Sequence, residues 1–345
     1  MSPITESGHE ISPGMRLVLA ALKTQAQEIG RLIDASTAAL ADPEGLTGPD
    51  SDVFADIARH TVPRWHFAML NDTERNAALS EALRRCIPPG AVVLDIGSGT
   101  GLLAMAAVRA GASRVYTCEE NPLLAEIARQ TVAEHGMSDV ITVFNKRSTH
   151  LSVGRELDRP ADVLISEIVD CGLIGEGLLP SVRDARERLL APDGLMMPVS
   201  ARIHGRLIRS DVIANLNRVG SAAGFDVSLM NAAATRGHFP VRLNTWPHEV
   251  LSEPQELVSF DLASGPLGPG SRRLSVPATA DGEAQALVAW FEMDLGAGIT
   301  LHNSPQNTTS HWMQALIPFE KPVPVTAGGR FEFELRWTDL LLTAS

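Results

Sequence analysis

Val92-Val93-Leu94-Asp95-Ile96-Gly97-Ser98-Gly99-Thr100-Gly101 runs an apolar strand into three glycines, and a helical stretch follows over 101–110. Glycine has no Cβ, so a loop of this kind turns sharply and lets its backbone approach a ligand closely. Alone, Gly-x-Gly-x-Gly is a weak signal, and a tight turn that binds nothing is the plain alternative. A dinucleotide site asks for Gly-x-Gly-x-x-Gly, a spacing that Ala104 does not continue.

On either side of this loop the pattern repeats. Short apolar runs at AVVLDIG, RVYTCEE, VITVFN and ADVLISEIV alternate with helical stretches at 101–110, 121–135 and about 180–190. That alternation predicts a parallel, doubly wound α/β sheet of Rossmann-like type. Within it the loop suits S-adenosyl-L-methionine better than a dinucleotide. Gly97, Gly99 and Gly101 would cradle the cofactor, and Asp95 would orient the loop or the methionine ammonium. Glu119, at the end of the second strand, is placed to accept the ribose hydroxyls. Glu120 competes for that role, but neighbours on a strand point to opposite faces, which favours Glu119.

Ahead of the sheet, apolar residues recur at helical spacing over 14–40 (Met15, Val18, Leu19, Leu22, Ile29, Leu32, Ile33), and a Gly/Pro/Asp stretch at 42–51 reads as a linker. Helix in pieces is predicted from Val53 to Arg85, broken by Pro63. Past Met197-Pro198, closely spaced Gly and Pro punctuate strand-like text, the texture of an all-β unit, with one helix-like interruption at 211–223. The expected organisation is a helical extension and linker over 1–52, a cofactor domain over 53–197 and a β-barrel domain over 198–345.

The totals exclude several classes. At 345 residues the chain exceeds the roughly 250–300 at which one core stops growing, so two domains are expected. No apolar run approaches the roughly 18 residues of a membrane span. The start of the chain, with Glu6 and Glu10, does not read as a secretory signal, which points to the cytoplasm. Cys86, Cys118 and Cys171 match no metal box and read as buried thiols; no metal is expected. A formal charge of −12 argues against nucleic acid and suits a cationic ligand.

Ser166-Glu167-Ile168-Val169-Asp170-Cys171-Gly172-Leu173-Ile174-Gly175-Glu176-Gly177 sets two glutamates nine residues apart on a loop that leaves a strand. A guanidinium presents five donors in a rigid fork and stays charged in water, so paired carboxylates are its natural clamp. Either glutamate alone could be an ordinary solvated loop residue. Together, after a sheet strand and beside a glycine loop, they read as a functional pair suited to such a cation.

At this point the sequence resembles a known family. DIGSGTGLLAMAAVRAGASRVYTCEE is similar to the cofactor region of the protein arginine methyltransferases, and Phe144-Asn145-Lys146-Arg147-Ser148-Thr149 resembles their monomethylating branch. The resemblance runs over about 62–338. It implies that Arg75, in MLNDTERN, clasps the cofactor carboxylate, that Ser148 meets the adenine, and that His66 joins the cofactor residues. Glu167 and Glu176 correspond to the family's paired glutamates. Ser310-His311-Trp312 resembles a Thr-His-Trp loop whose histidine pairs with an aspartate, here Asp72, to close the substrate pocket or relay a proton. Trp312 and Met69 would line the acceptor. VGSAAGFDVSLMN resembles an inserted helical arm, about 210–240, through which such enzymes form homodimers. The implied reaction is methylation of an arginine guanidinium, free or in protein, to the omega-N-monomethyl product. Methylation of another small cationic metabolite, or a catalytically silent scaffold, are the alternatives.

Overall fold

The computed structural model describes residues 12–41 and 52–345; the linker expected over 42–51 and the residues before Ser12 lie outside them. Two compact units divide between Arg64 and Trp65. The first holds helices α1 (Pro13–Ala41) and α2 (Asp52–Thr61). α1 covers the apolar pattern read over 14–40, and Met15, Val18, Leu19, Leu22, Ile29 and Ile33 stand exposed along it.

The second unit begins with α3 (Trp65–Leu70) and α4 (Thr73–Cys86), the break between them set by Asp72, whose side chain caps α4 by accepting from the Arg75 N–H. The parallel sheet follows: β1 (Val92–Ile96), α5 (Leu102–Arg109), β2 (Arg114–Cys118), α6 (Pro122–Glu134), β3 (Ile141–Phe144), β4 (Ala161–Ser166), α7 (Leu178–Arg188) and β5 (Leu190–Met197). Every residue of β1 is buried, as the centre of a sheet covered on both faces requires. The order is β3-β2-β1-β4-β5. Connections leave β1 and β4 toward opposite sides, so a crevice opens at their carboxyl ends, where ligands bind in such sheets. The glycine loop leaves β1 there and the paired-glutamate loop leaves β4.

The remaining chain is antiparallel. It runs through β6 (Ser200–Arg209), α8 (Asp211–Ala214), β7 (Ser221–Ala222), β8 (Phe225–Asp226), β9 (Phe239–Val241), β10 (Glu249–Val250), β11 (Gln255–Asp261), β12 (Gly270–Pro277), β13 (Gly282–Gly296), β14 (Ile299–His302), β15 (Gln314–Val325), β16 (Arg330–Trp337) and β17 (Leu342–Ala344). The barrel text becomes a seven-stranded sheet, β10-β6-β13-β15-β9 with β11 on β6 and β14 on β13, and a three-stranded sheet, β12-β16-β17. Phe319 of β15 meets Phe331 and Phe333 of β16 with ring centroids 5.1 and 6.0 Å apart, which joins the two sheets. The larger of two hydrophobic clusters among the described residues runs from Leu94 and Leu164 of the parallel sheet to Leu287 and Phe291 of β13, and the smaller gathers Ile208, Val241, Leu243 and Trp290.

Two expectations need correction. The helix read over 211–223 is only the four residues of α8, and the rest of the 210–240 insertion is the β7–β8 hairpin and a 3-10 turn at Ser228–Ala233. Asn215, Asn217 and Gly220 follow α8, and their local hydrogen-bonding and backbone freedom favour turns over a continued helix. Cys86 is half-buried, not enclosed like Cys118 and Cys171. No helix among the described residues is long and apolar enough to cross a membrane.

Tyr116 ties the sheet to the loop before β4: its hydroxyl donates to Asp158 at 2.7 Å and accepts from the Asp158 N–H at 3.4 Å. Tyr116→Phe should lower stability by about 1 kcal/mol without a change in the slope against denaturant, read by urea unfolding. An unchanged midpoint would show that the hydroxyl contributes nothing.

Candidate active site

The site is built at the β1/β4 crevice from four pieces: the glycine loop, the end of β2, the start of α4 and the glutamate loop. Gly97 adopts φ +93°, and a Cβ there would stand 2.5 Å from the Ile168 side chain, so the first glycine is dictated by the approach of the glutamate loop. Asp95 is fully buried; the Thr117 hydroxyl donates to Oδ2 at 2.7 Å, while Oδ1 has no partner. Desolvation pushes its carboxyl up to about 7, the Thr117 hydrogen bond opposes the shift, and the nearby Glu119 and Glu167 charges add to it.

Glu119 closes over the glycine loop. Its carboxylate accepts from the Gly99 N–H at 3.1 Å and from the Asn121 N–H at 2.9 Å. Glu120 turns outward instead and pairs with Arg147 at 2.6 Å, both side chains being exposed, an arrangement that leaves Glu119 as the inward carboxylate. β2 ends at Cys118, so both glutamates lie just past the strand, and their opposite directions come from these local hydrogen bonds and not from strand alternation. Ser148 is buried at the start of a 3-10 turn beyond β3, and Asn145 donates its side-chain amide to the Glu119 carbonyl.

Arg75 and Glu167 form an ion pair with both side chains almost wholly buried. Burial raises the Glu167 carboxyl, against the pull of Arg75. The Arg75 guanidinium also lies over the Trp312 ring, 5.9 Å from its centroid. So the face expected to receive an acceptor guanidinium carries Arg75, and Trp312 itself is buried, donating Nε1–H to the Val169 carbonyl at 3.1 Å. Glu176 has no hydrogen-bond or ion-pair partner among the described residues, and its side chain reaches solvent. Its carboxyl is pushed up to about 7 by desolvation and by Glu167, Asp170 and Glu119; solvent access tempers the burial, and the negative neighbours keep the direction upward.

Asp72 and His311 meet as the sequence suggested. The His311 Nδ1 and main-chain N–H both lie 2.9 Å from Asp72 Oδ2. Burial works against the Asp72 charge, but the Arg75 and His311 N–H groups and the imidazole hold the carboxyl below its ordinary value. Burial lowers the His311 pKa despite Asp72, with Arg75 and Arg242 adding to the effect, so the ring stays neutral near pH 7 and Nδ1 carries the proton toward Asp72. Met69 is half-buried on α3, and on the same helix His66 stacks on Trp65 at 3.8 Å.

Three residues that sequence reasoning left without a role hold the glutamate loop: Asp170, His238 and Asn303. Asn303 is fully buried and donates to the Cys171 carbonyl at 3.0 Å. Asp170 was visible inside the motif, but nothing local marks His238 or Asn303, which reach the loop from 68 and 132 residues away.

Among the described residues five buried side-chain atoms have no partner, and three of them lie at the crevice, the others being Arg114 Nε and Arg206 Nε. Asp95 Oδ1, Ser166 Oγ and Arg75 Nε are buried without partners. Native interiors rarely leave such atoms unpaired unless a ligand or water completes them. A ligand with an ammonium and a carboxylate fits this donor and acceptor set, with Glu119 for a diol, so the residues present fit S-adenosyl-L-methionine.

Comparison with known proteins agrees. Residues 200–338 match the arginine methyltransferase oligomerization subdomain, and residues 77–196 match the ribosomal protein L11 methyltransferase family. An arginine N(omega)-methyltransferase of Streptomyces achromogenes subsp. streptozoticus is 63% identical over 330 residues, 96% of this chain and 91% of that protein. A protein arginine N-methyltransferase 7 of Oryza sativa subsp. indica is 32% identical over 71% of this chain, which spans 36% of that longer protein. Among solved structures, the Trypanosoma brucei PRMT1 enzyme-prozyme heterotetrameric complex with AdoHcy superposes with a TM-score of 0.68 at 27% identity, over 79% of this chain and 86% of that one. The fold and crevice are those of a Rossmann-like methyltransferase joined to an antiparallel sheet domain. Within that class the chain belongs to the protein arginine methyltransferase family.

Two outcomes follow from this geometry. Glu119→Ala and Arg75→Ala should each weaken binding of S-adenosyl-L-methionine by about tenfold or more in calorimetric titration, since hydrogen bonds to charged groups contribute about 1.5–3 kcal/mol; unchanged affinity in both would remove them from the cofactor site. With Glu176 near 7 in the free enzyme, a protonated carboxyl below that pH cannot hold a cation. Affinity of the cofactor-free enzyme for arginine should therefore rise about tenfold from pH 6 to 8 in calorimetric titration, and Glu176→Gln should abolish the slope. A flat wild-type profile would contradict the assignment.

Proposed function

We propose that this enzyme, an S-adenosyl-L-methionine-dependent arginine N-methyltransferase, transfers one methyl group to the guanidinium of free L-arginine, held between Glu167 and Glu176. The observation that carries the reading is the pairing of a fixed carboxylate with an open one at the crevice. Glu167 is anchored by Arg75, and Glu176 stands at the mouth without a partner. When bound, the cofactor supplies a methyl group already activated by its sulfonium charge.

The chain's own residues then do three things. Asp95, Glu119, the glycine loop, Arg75, Ser148 and His66 hold the cofactor. The two glutamates accept the forked N–H groups of the substrate and aim one terminal nitrogen, which is mainly catalysis by positioning. Their negative charge also stabilises the second positive charge that the guanidinium acquires as its nitrogen takes the methyl group from the sulfonium, until a proton leaves. The neutral His311 ring, oriented by Asp72, offers a proton acceptor close by for the proton that leaves. Met69 borders the acceptor, and Trp312 acts from behind the loop through Arg75 and Val169.

Free arginine is favoured over protein arginine because the relative at 63% identity is named for arginine, while relatives named for protein arginine stand near 29–33%. The enzyme works in the cytoplasm as a homodimer, with residues 53–197 as cofactor domain and 198–345 as substrate domain. Support for the dimer comes from the match to an oligomerization subdomain and from Phe225, Leu229 and Met230, which are 67–73% exposed on the 210–240 insertion.

The test is an incubation with cofactor and, separately, L-arginine and an arginine-containing peptide, with mass analysis at completion. Monomethylarginine from free arginine is expected as the end product, and Glu167→Gln or Glu176→Gln should lower turnover by about a hundredfold. Dimethylarginine as the dominant product would overturn the single transfer, and near wild-type turnover in either variant would overturn the clamp.

A further inference from the structure

Between its two glutamates the loop is wound around one carboxylate that the chemistry above does not use. Asp170 Oδ1 accepts from the Gly172 N–H at 3.1 Å and the Gly175 N–H at 2.8 Å. The second of these amides belongs to the residue just before Glu176. Whatever fixes Asp170 therefore fixes the backbone that carries the open carboxylate of the clamp.

That support comes from outside the loop. His238 Nε2 lies 2.6 Å from Asp170 Oδ2, and the ring is buried. Its other nitrogen, Nδ1, faces the Leu342 N–H at 3.1 Å, a donor, so Nδ1 must accept. The proton is thereby assigned to Nε2, which donates to Asp170. The imidazole lies directly against Gly172: a Cβ there would stand 2.5 Å from ring atoms. Asp170, Cys171 and His238 also bring three metal-type donor atoms within 4.8 Å, but both Asp170 oxygens already accept hydrogen bonds and His238 directs its proton at one of them, so the group is a strut.

We infer that His238 is a positioning residue for methyl transfer: through Asp170 it sets Glu176, and Gly172 is glycine because the imidazole needs that space. The inference rests on Glu176 holding the acceptor guanidinium. It links the end of the 210–240 insertion and the β17 edge to the clamp, while Glu167 is held independently by Arg75. Loss of the strut loosens one jaw and leaves the cofactor residues in place. A displacement of about 1 Å at a reacting centre can cost on the order of a hundredfold in rate.

The experiment compares His238→Ala, His238→Gln, Asp170→Asn and Gly172→Ala in the full chain, with Glu176→Gln alongside and the arginine substrate that wild type turns over. His238→Ala and Asp170→Asn should lower kcat at least about tenfold and raise KM for arginine, with cofactor Kd within about twofold. His238→Gln, whose amide reaches the Nε2 position as a donor, should restore turnover to within about threefold of wild type. Gly172→Ala should match His238→Ala alone and add nothing in combination with it, because the displaced ring is its means of action.

Turnover within twofold of wild type in His238→Ala, additive losses in the Gly172/His238 pair, or equal losses in His238→Gln and His238→Ala would each overturn the inference. Should His238→Ala fail to fold, the isosteric Asp170→Asn decides on the same kinetic readout. If Glu176→Gln keeps wild-type turnover, the clamp itself falls; if only Glu176→Gln is impaired, the clamp stands and the strut falls.

Discussion

The buried ion pair of Arg75 with Glu167 is the constraint around which the second compact unit is organised. Removing two charges from water is costly, and their attraction offsets that cost only when geometry and surrounding hydrogen bonds are right. Here the surroundings form a closed circuit. Arg75 sits in the first turn of a helix capped by Asp72; Asp72 holds His311 by ring and backbone; Trp312, next in sequence, lies under Arg75 and holds the Val169 carbonyl two residues beyond Glu167. Helix, parallel sheet and antiparallel sheets each contribute one arc.

The electrostatics of the crevice follow from this. Glu119 and Glu167 raise the pKa of both Asp95 and Glu176, and Arg75 is the cation set among them. Such a concentration of negative charge is unfavourable in isolation. It becomes an asset when the two reactants are a sulfonium and a guanidinium, because each positive ligand relieves the repulsion that the other sites impose.

How much of this could be read from the sequence depended on range. The parallel sheet was legible because each strand, turn and helix carries its own period. The glutamate pair was legible because nine residues separate its members. The supports were not. Asn303 and His238 resemble any other polar residues until the antiparallel sheets deliver them to the loop. The insertion was misread for a related reason: apolar spacing at 211–223 mimics a helix, but the asparagines and Gly220 that end α8 decide its local conformation. Trp312 was expected as a wall beside the acceptor, yet its place as a buried anchor depends on Phe291, which meets it edge-on at 5.1 Å, and on Val169, neither of which its own neighbourhood in sequence reveals.

The contact of Asp72 with His311 also bears on how the enzyme comes into being. The two residues lie 239 positions apart, so their pairing must wait for nearly the whole chain and for the slow closure of a long loop. The parallel sheet that carries the cofactor loop, by contrast, is complete in sequence by Met197. During synthesis the residues of the parallel sheet are therefore all made well before His311, and a chain that stops short of it has the strands that carry the glycine loop and lacks the partner of Asp72.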